Sequence, residues 1–522
     1  MHFRSLYQTK QYDQALVFLK SKKIQKDTDS KILWLMERGI IQHAKGDYLA
    51  SIATFNKAKQ LARKMFTVLI SKKIKGQLTN ENYDYYYARR LDRSLIEYYL
   101  VLNHLILHFN QKDPKGDHLS KARAEVLSWD SLIKEFKDET QGKSVFKIDL
   151  LAKIFGAFVH EIVGSRNDLN TALILYKDAR KYLFRNYNIY KTFNSKASKF
   201  KKKFSELPKM KKKVIQTKYV ASTKFSSDLD LFLKEKIYRL TVKISPGKKK
   251  RIRKQLGFNK KQADSLDKLK RNGSLFISFH NGIVPEVVAQ KHYYGFRPLI
   301  GDSSGARFLK GLSAAVLTIF IANKLKLYPP PGKYYGPGHD LGVQMTHAIT
   351  NDIGFGFEMP KVNNSKIEKG LFVVIRDLKG VEVLRKPIPV VNPIGDILAE
   401  IIAEESVSRF VKTASRVGLK YLSAIAIAYG TYQTFGGAQR ETLALNAALL
   451  GFYSASKTIE LSEQADTRFW TTVPHNVRLV ELSLPYGSYT AYVSDGGQFE
   501  SNIGNFQISK DKPIDFIKYS DQ

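Results

Sequence analysis

Cysteine is absent from all 522 residues. That excludes a disulfide framework, a thiolate nucleophile and any thiolate metal site, and it leaves the redox compartment open. Long apolar runs are scarce as well. Leu312 to Ala322 is about half the ~20 residues that a membrane-spanning helix needs. Met1 to Lys26 alternates polar and apolar side chains with no continuous apolar stretch, so these residues show no recognisable secretory signal. The expectation is a cytosolic protein or one whose export segment has been removed. Histidine is thin, at eleven residues, and neither a Walker loop nor a dinucleotide fingerprint occurs. No metal and no cofactor are therefore expected. Acidic side chains are in deficit, 48 against 85 Lys and Arg, for a formal net charge of +37.

What the chain does contain is enough apolar material for real cores, 43% hydrophobic and 12% aromatic, over a length that suits several domains. The positive excess lies upstream, because residues 458–522 carry nine acidic and five basic side chains. An excess of this size predicts attraction to a polyanion: nucleic acid, anionic lipid or an acidic wall polymer.

A spaced pattern occurs twice. Gly46-Asp47-Tyr48, Ser51, Phe55 and Ala58 are matched by Asn167-Asp168-Leu169, Ala172, Tyr176 and Ala179 at the same offsets. Small residues at Ser51 and Ala58 admit a neighbouring helix closely while Phe55 fills the groove between them. This spacing predicts tetratricopeptide-type helical hairpins, each with its turn at the Gly46-Asp47 or Asn167-Asp168 position. Tyr12, Ala15 and Leu19 stand 36 positions before Tyr48, Ser51 and Phe55 and predict a weaker first hairpin helix. Tyr83 to Phe109 reads as a tyrosine-rich packing helix, and Lys121 to Phe136 resumes the helical period.

From Lys196 to Lys213 nine lysines face a single glutamate, with Phe200, Phe204, Leu207 and Met210 between them. A second basic run, Lys248 to Lys254, follows Pro246-Gly247. Short runs at Leu275–Phe279, Leu371–Ile375, Val381–Leu384, Val477–Leu484, Ser488–Val493 and Phe506–Ile508 predict strands, with turns at Asn281-Gly282 and Leu378-Lys379-Gly380. A helical period from Ile394 to Leu422 and small-residue-rich segments from Ala424 to Phe452 predict a long helix and a helical hairpin. The expected fold is multidomain α+β: helical repeats over 1–195, a Lys-rich connector over 196–270, a strand-rich region over 271–393, the long helix and hairpin over 394–464, and a small β module over 465–522.

Three chemistries compete. Lys201, Lys202, Lys203, Lys211, Lys212, Lys213, Lys248, Lys249, Lys250, Arg251, Arg253 and Lys254 are the candidate polyanion-binding residues. A solvated amphipathic helix accounts for such charge without any function. Among functional readings, basic residues interleaved with Phe, Leu and Met suit a membrane interface, and no nucleic-acid recognition signature accompanies them. Gly301-Asp302-Ser303-Ser304-Gly305 is similar to the nucleophile segment of trypsin-like proteases, but helical repeats precede it where those enzymes need an all-β scaffold with His and Asp. A loop is the better reading there. His339-Asp340 lies in a glycine-rich loop, and together these elements form no coherent catalytic constellation.

At the C-terminal junction the run Asp466-Thr467-Arg468-Phe469-Trp470-Thr471-Thr472-Val473-Pro474 precedes the last strands. With the helical repeats, the tyrosine-rich helix and Lys121-Ala122-Arg123-Ala124-Glu125, it resembles a largely uncharacterised family of Gram-negative envelope lipoproteins with tetratricopeptide-like N-termini. The resemblance runs over nearly the whole chain. It implies a bacterial cell-envelope protein, periplasmic and membrane-associated, held by lipid on an N-terminal cysteine that this chain lacks. Asp466, Arg468, Trp470 and Pro474 read as structural: Trp470 buries a large ring, Asp466 caps or pairs with Arg468, and Pro474 stops a helix before the strands. The leading expectation is a noncatalytic envelope scaffold that takes protein partners on its repeats and anionic lipid or wall polymer on its basic region. The alternatives are a cytosolic nucleic-acid or other polyanion-binding protein and, last, a hydrolase.

Overall fold

A computed structural model describes residues 2–21, 24, 26–74, 86–110, 117–139, 149–185, 227–269, 272–295, 354–363, 370–399, 401–402, 434, 454, 458, 464–497 and 499–521. The architecture is mixed α+β, with helices in the N-terminal half and sheets toward the C-terminus.

The helical layer begins with α1 (His2–Gln8) and α2 (Tyr12–Leu19), followed by the pair α3 (Lys31–Lys45) and α4 (Tyr48–Ile74). Gly46 ends α3 at φ 90°, a left-handed cap that favours glycine. Phe55 of α4 seats its ring on the bare backbone of Gly39, where an added Cβ would lie 2.7 Å from the ring. Ser51 completes the contact by donating to the Gly39 carbonyl at 2.7 Å. Next come α5 (Arg90–Asn110) and α6 (Asp117–Glu139), then α7 (Leu150–Val163) paired with α8 (Arg166–Arg185). The second turn falls earlier than the residue spacing predicts. Gly164 is the left-handed cap at φ 73°, so Asn167 and Asp168 already lie in the first turn of α8. The reason is local: Ser165 accepts from the Asp168 N–H and donates to its carboxylate, and that closes the helix start. Ala172, Tyr176 and Ala179 are fully buried all the same. The layer continues through α9 (Ser227–Ile244), α10 (Lys249–Leu256) and α11 (Lys260–Lys268).

The strands are β1 (Gly273–Ile283), β2 (Val287–Gly295), β3 (Gly354–Val362), β4 (Phe372–Asp377), β5 (Glu382–Pro387), β6 (Val390–Asn392), β7 (Pro474–Leu484), β8 (Gly487–Ser494), β9 (Glu500–Ile508) and β10 (Ile514–Asp521). One sheet has the order β10-β1-β7-β6, a second β5-β4-β8-β9, and β2 pairs with β3. The strands expected to close as a terminal module are thus shared: β7 and β10 flank β1, and β8 pairs with β4. Asn281-Gly282, expected as a turn, lies inside β1, with Gly282 at φ 58°. Residues 394–399 are helical; the remainder of the expected long helix, apart from 401–402, and the hairpin over 424–452, apart from 434, lie outside the described residues.

Period-two alternation in β1 decides the layering. Phe276 joins Val477, Leu479 and Phe516 in the core shared with the helices. Leu275, Ile277 and Phe279 join Val373, Ile375, Ala491 and Val493 in a second core between the two sheets. The result is three layers, helices on sheet on sheet. Among the described residues no helix is long and apolar enough to cross a membrane. Because the Phe55 ring occupies the space above Gly39, Gly39→Val is expected to lower unfolding stability by about 1–3 kcal/mol in a denaturant titration, with no change of fold by circular dichroism.

Candidate anion-binding groove

Three helices enclose a surface cavity of about 560 Å³. Its lining is Lys177, Arg180 and Lys181 from α8, Ile237 from α9, and Ile252, Gln255 and Leu256 from α10. Each helix contributes for a reason visible in its periodicity. Lys177, Arg180 and Lys181 stand at i, i+3 and i+4, so they share one face of α8. Ile252 and Leu256 stand at i, i+4 and are buried, which leaves the lysines of α10 on the outside. The floor is therefore apolar and the rim cationic.

The walls are held by charge and ring contacts. Arg180 donates from Nε to Asp230 at 2.8 Å. Lys249 lies 2.5 Å from Asp267, which ties α10 to α11 and raises the Lys249 pKa through that hydrogen bond. Tyr176 meets Phe232 edge-on, joining α8 to α9. Arg253 turns inward and donates to the Phe258 carbonyl at 3.3 Å beside the left-handed cap Gly257. Lys248, Lys249, Lys250, Arg251 and Lys254 are exposed, as are Lys177 and Lys181. No acidic residue occupies the first turn of α10, and cations take its place. Positive charge at a helix N-terminus opposes the helix dipole by roughly 0.3–1 kcal/mol, so this charge does not serve the helix. An arrangement of this kind can hold an anionic group at the rim and aliphatic carbon at the floor.

Of the residues the sequence singles out for polyanion binding, Lys248, Lys249, Lys250, Arg251, Arg253 and Lys254 lie on or next to α10, whose Ile252, Gln255 and Leu256 line the groove, but none of the six lines it. Lys201, Lys202, Lys203, Lys211, Lys212 and Lys213 lie outside the described residues, as do Asp302 and His339. Sequence reasoning missed Lys177 and Lys181, although their helical spacing with Arg180 was a usable signal. Ile237 carries no such signal, since only packing against α10 brings it to the floor.

The Asp466 to Pro474 run lies elsewhere, in a seam between the helical layer and the sheet. Arg468 donates to Asp466 through Nε at 2.9 Å and Nη2 at 3.0 Å. Arg89 donates to the Arg468 carbonyl at 3.0 Å. Trp470 packs against Phe55 and Tyr99 of the helices, and Pro474 opens β7. Beside it, Glu37 accepts from the Thr471 N–H and hydroxyl, both at 2.7 Å, and from the Thr472 hydroxyl. Burial pushes the Glu37 carboxyl up to about 7, against the lowering effect of those hydrogen bonds and of Arg4.

Comparison with protein-family models, with curated proteins and with solved structures finds no match for this chain.

The seam has a pH consequence. Glu37 holds its proton more tightly folded than unfolded, so the native state binds more protons between the ordinary carboxylate range and about pH 7. Its contribution is fully present below the unfolded pKa and falls as pH rises through the folded one. The expected slope approaches about 1.4 kcal/mol per pH unit within that window. Glu37→Gln should flatten this part of the stability-versus-pH curve in urea titrations, and an unchanged slope would assign it to other groups.

Proposed function

We propose that this chain is a noncatalytic adaptor of the bacterial cell envelope, which attaches to anionic lipid through the groove between α8, α9 and α10. The observation that carries this reading is the groove itself, with exposed lysines around a floor of Ile237, Ile252 and Leu256. An apolar floor suits the glycerol and first acyl carbons of an anionic lipid better than the polar backbone of a wall polymer. Among the described residues no aromatic side chain lines the cavity, and nucleic-acid grooves without sequence preference use aromatics to stack bases.

The finer fold assignment is part of the same proposal. The pairs α3–α4 and α7–α8 have the hairpin form and small-aromatic-small packing of tetratricopeptide-like repeats. Their inner face is occupied by the chain's own sheet, so a protein partner meets the outer face. In the helical layer Val17 of α2, Leu49 of α4, Leu127 of α6 and Ile174 of α8 are exposed. Envelope placement follows the resemblance carried by the Asp466 to Pro474 run, and the cationic groove agrees with a position at an anionic membrane surface.

Vesicle cosedimentation tests the lipid reading. The protein should bind phosphatidylglycerol vesicles, release as salt rises, and ignore phosphatidylcholine vesicles. The triple variant Lys177→Glu/Lys181→Glu/Lys254→Glu should lose on the order of 100-fold in affinity, given about 1 kcal/mol per basic residue near the surface. Full binding by the variant would sink the groove as the attachment site. A preference for duplex DNA with a steep logarithmic salt slope would move the protein to the polyanion-binding class.

A further inference from the structure

Strand registers bring three turns to one end of the two-sheet stack. Asp377 at the end of β4 lies opposite Tyr489, and Gly487 at the start of β8 lies opposite Ile508. The β4–β5 turn at 378–381, the β7–β8 turn at 485–486 and the β9–β10 turn at 509–513 therefore share that end. On it stand Leu378, 81% exposed, Val381, 59% exposed, and Tyr486, 47% exposed. Leu378 is the most exposed of the large apolar side chains described.

Turn geometry does not require these side chains. The β4–β5 turn is closed by the Asp377 carboxylate, which accepts from the Lys379 and Val381 N–H groups at 2.9 Å each, and by Gly380 at φ 81°. The β7–β8 turn is braced by the Tyr489 hydroxyl, which donates to the Pro485 carbonyl at 3.1 Å. Polar residues would fill positions 378, 381 and 486 without loss of either brace. Cations surround the apolar tips. Lys379 and Lys510 are exposed on the same turns, and α11 with Lys268 leads into β1 from this end, where Gly273 lies opposite Leu484. Of the acidic groups nearby, Glu382 is held by Arg385 and Asp515 by Lys512; Asp511 is exposed.

We propose that this end of the sheet stack inserts into the interface of an anionic bilayer. Leu378, Val381 and Tyr486 enter between the headgroups while Lys379 and Lys510 meet phosphate. Three apolar side chains on convex turns offer far less than the roughly 800 Å² per partner of a stable protein interface. Interfacial insertion needs only a few such groups with cations beside them, and tyrosine suits that boundary because one edge of its ring is polar. The inference deepens the lipid-binding reading above and rests on it, by adding an apolar contact to an electrostatic one.

The absence of cysteine makes the test direct, since one introduced thiol is the only labelling site. Leu378→Cys carrying an environment-sensitive fluorophore is compared with Phe499→Cys, an exposed apolar position on the β8–β9 turn at the opposite end. On phosphatidylglycerol vesicles the label at 378 should shift to shorter wavelength, brighten several-fold and be quenched by bromine-bearing acyl chains, while the label at 499 should not respond. Vesicle binding with no response at 378 would overturn insertion and leave the charge-driven attachment standing. An equal response at both positions would overturn the orientation, and failure of the unlabelled protein to bind at all would remove both readings. The variant Val381→Ser/Tyr486→Ser should retain the wild-type unfolding midpoint and lose about tenfold in vesicle affinity, or about 1.4 kcal/mol. Unchanged affinity, or a concentration-dependent response at 378 without vesicles, would overturn the proposal.

Discussion

Tyr98 and Tyr99 are buried where the helical layer meets the sheet, and the three-layer structure depends on that contact. The Tyr98 hydroxyl reaches His280 Nε2 at 2.7 Å and Ser278 at 3.0 Å, both on the helix-facing side of β1. Tyr99 stacks with Phe55 and packs against His43, His280 and Trp470. A sheet whose other face is already covered by a second sheet cannot leave this side in water. The helices therefore act as its cover, and the aromatic pair supplies most of the shape match. Some polar groups in the seam are paired in chains, while the Tyr99 hydroxyl, His43 Nε2 and Trp470 Nε1 are buried without a hydrogen-bond partner among the described residues. Asn103 Oδ1 can only accept, so His43 Nδ1 carries the proton in their 2.6 Å contact, and Asn103 passes its own N–H to Ser51 at 2.9 Å. Burial and the Lys518 charge hold both imidazoles well below their usual pKa, which keeps the seam free of imidazolium.

A second polar tie works at the other end of the same face. Lys236 lies 2.5 Å from both Glu161 and Glu481, and Arg239 is 3.2 Å from Glu481. Three separate segments are joined through one ammonium, α7, α9 and β7. Buried ion pairs of this sort add specificity of register more dependably than net stability, because desolvation offsets much of their attraction. Here the register in question is that of α9, and α9 is the helix that supplies Ile237 to the groove. The same network that docks α9 on the sheet thereby sets the floor of the cationic cavity, so the lipid-binding reading depends on the seam as well as on surface charge.

Local pattern was readable where one element sufficed. The offsets of Ser51, Phe55 and Ala58, the turn at Gly46, the packing of Tyr98 and Tyr99 on α5, and the cores of β1, β4, β7 and β8 follow from period and turn chemistry, but α5 begins at Arg90, so Tyr86 and Tyr87 precede the helix expected to hold them. Misplacement of the second turn has a physical reason: Asp168 looks like a turn residue, but its partner Ser165 starts the helix one turn earlier. β10 was passed over because Ile514 to Asp521 mixes Lys, Ser and Asp with apolar residues. It is an edge strand with one face toward the helices and the other toward the second sheet, so its alternation is weak. The Lys248 to Arg251 charge was visible in the sequence, whereas the packing of Ile252 and Leu256 beside Lys177 and Lys181 was not, since about seventy positions separate them.

The sequence by itself determined the charge surplus, the absence of thiol chemistry, the helix-then-sheet order and the hairpin packing. All of these are sums or short-range periodicities along the chain. Only the tertiary structure decided that the inner helical face is occupied by β1, β7 and β10, that Glu37 is sealed beneath Thr471 and Thr472, and that three distant turns share one apolar end. Each of these depends on a contact between segments more than a hundred positions apart, such as Tyr98 with His280, Glu37 with Thr471 and Asp377 with Tyr489. Such contacts are selected by the burial of whole faces against one another, and no local window of sequence contains both partners.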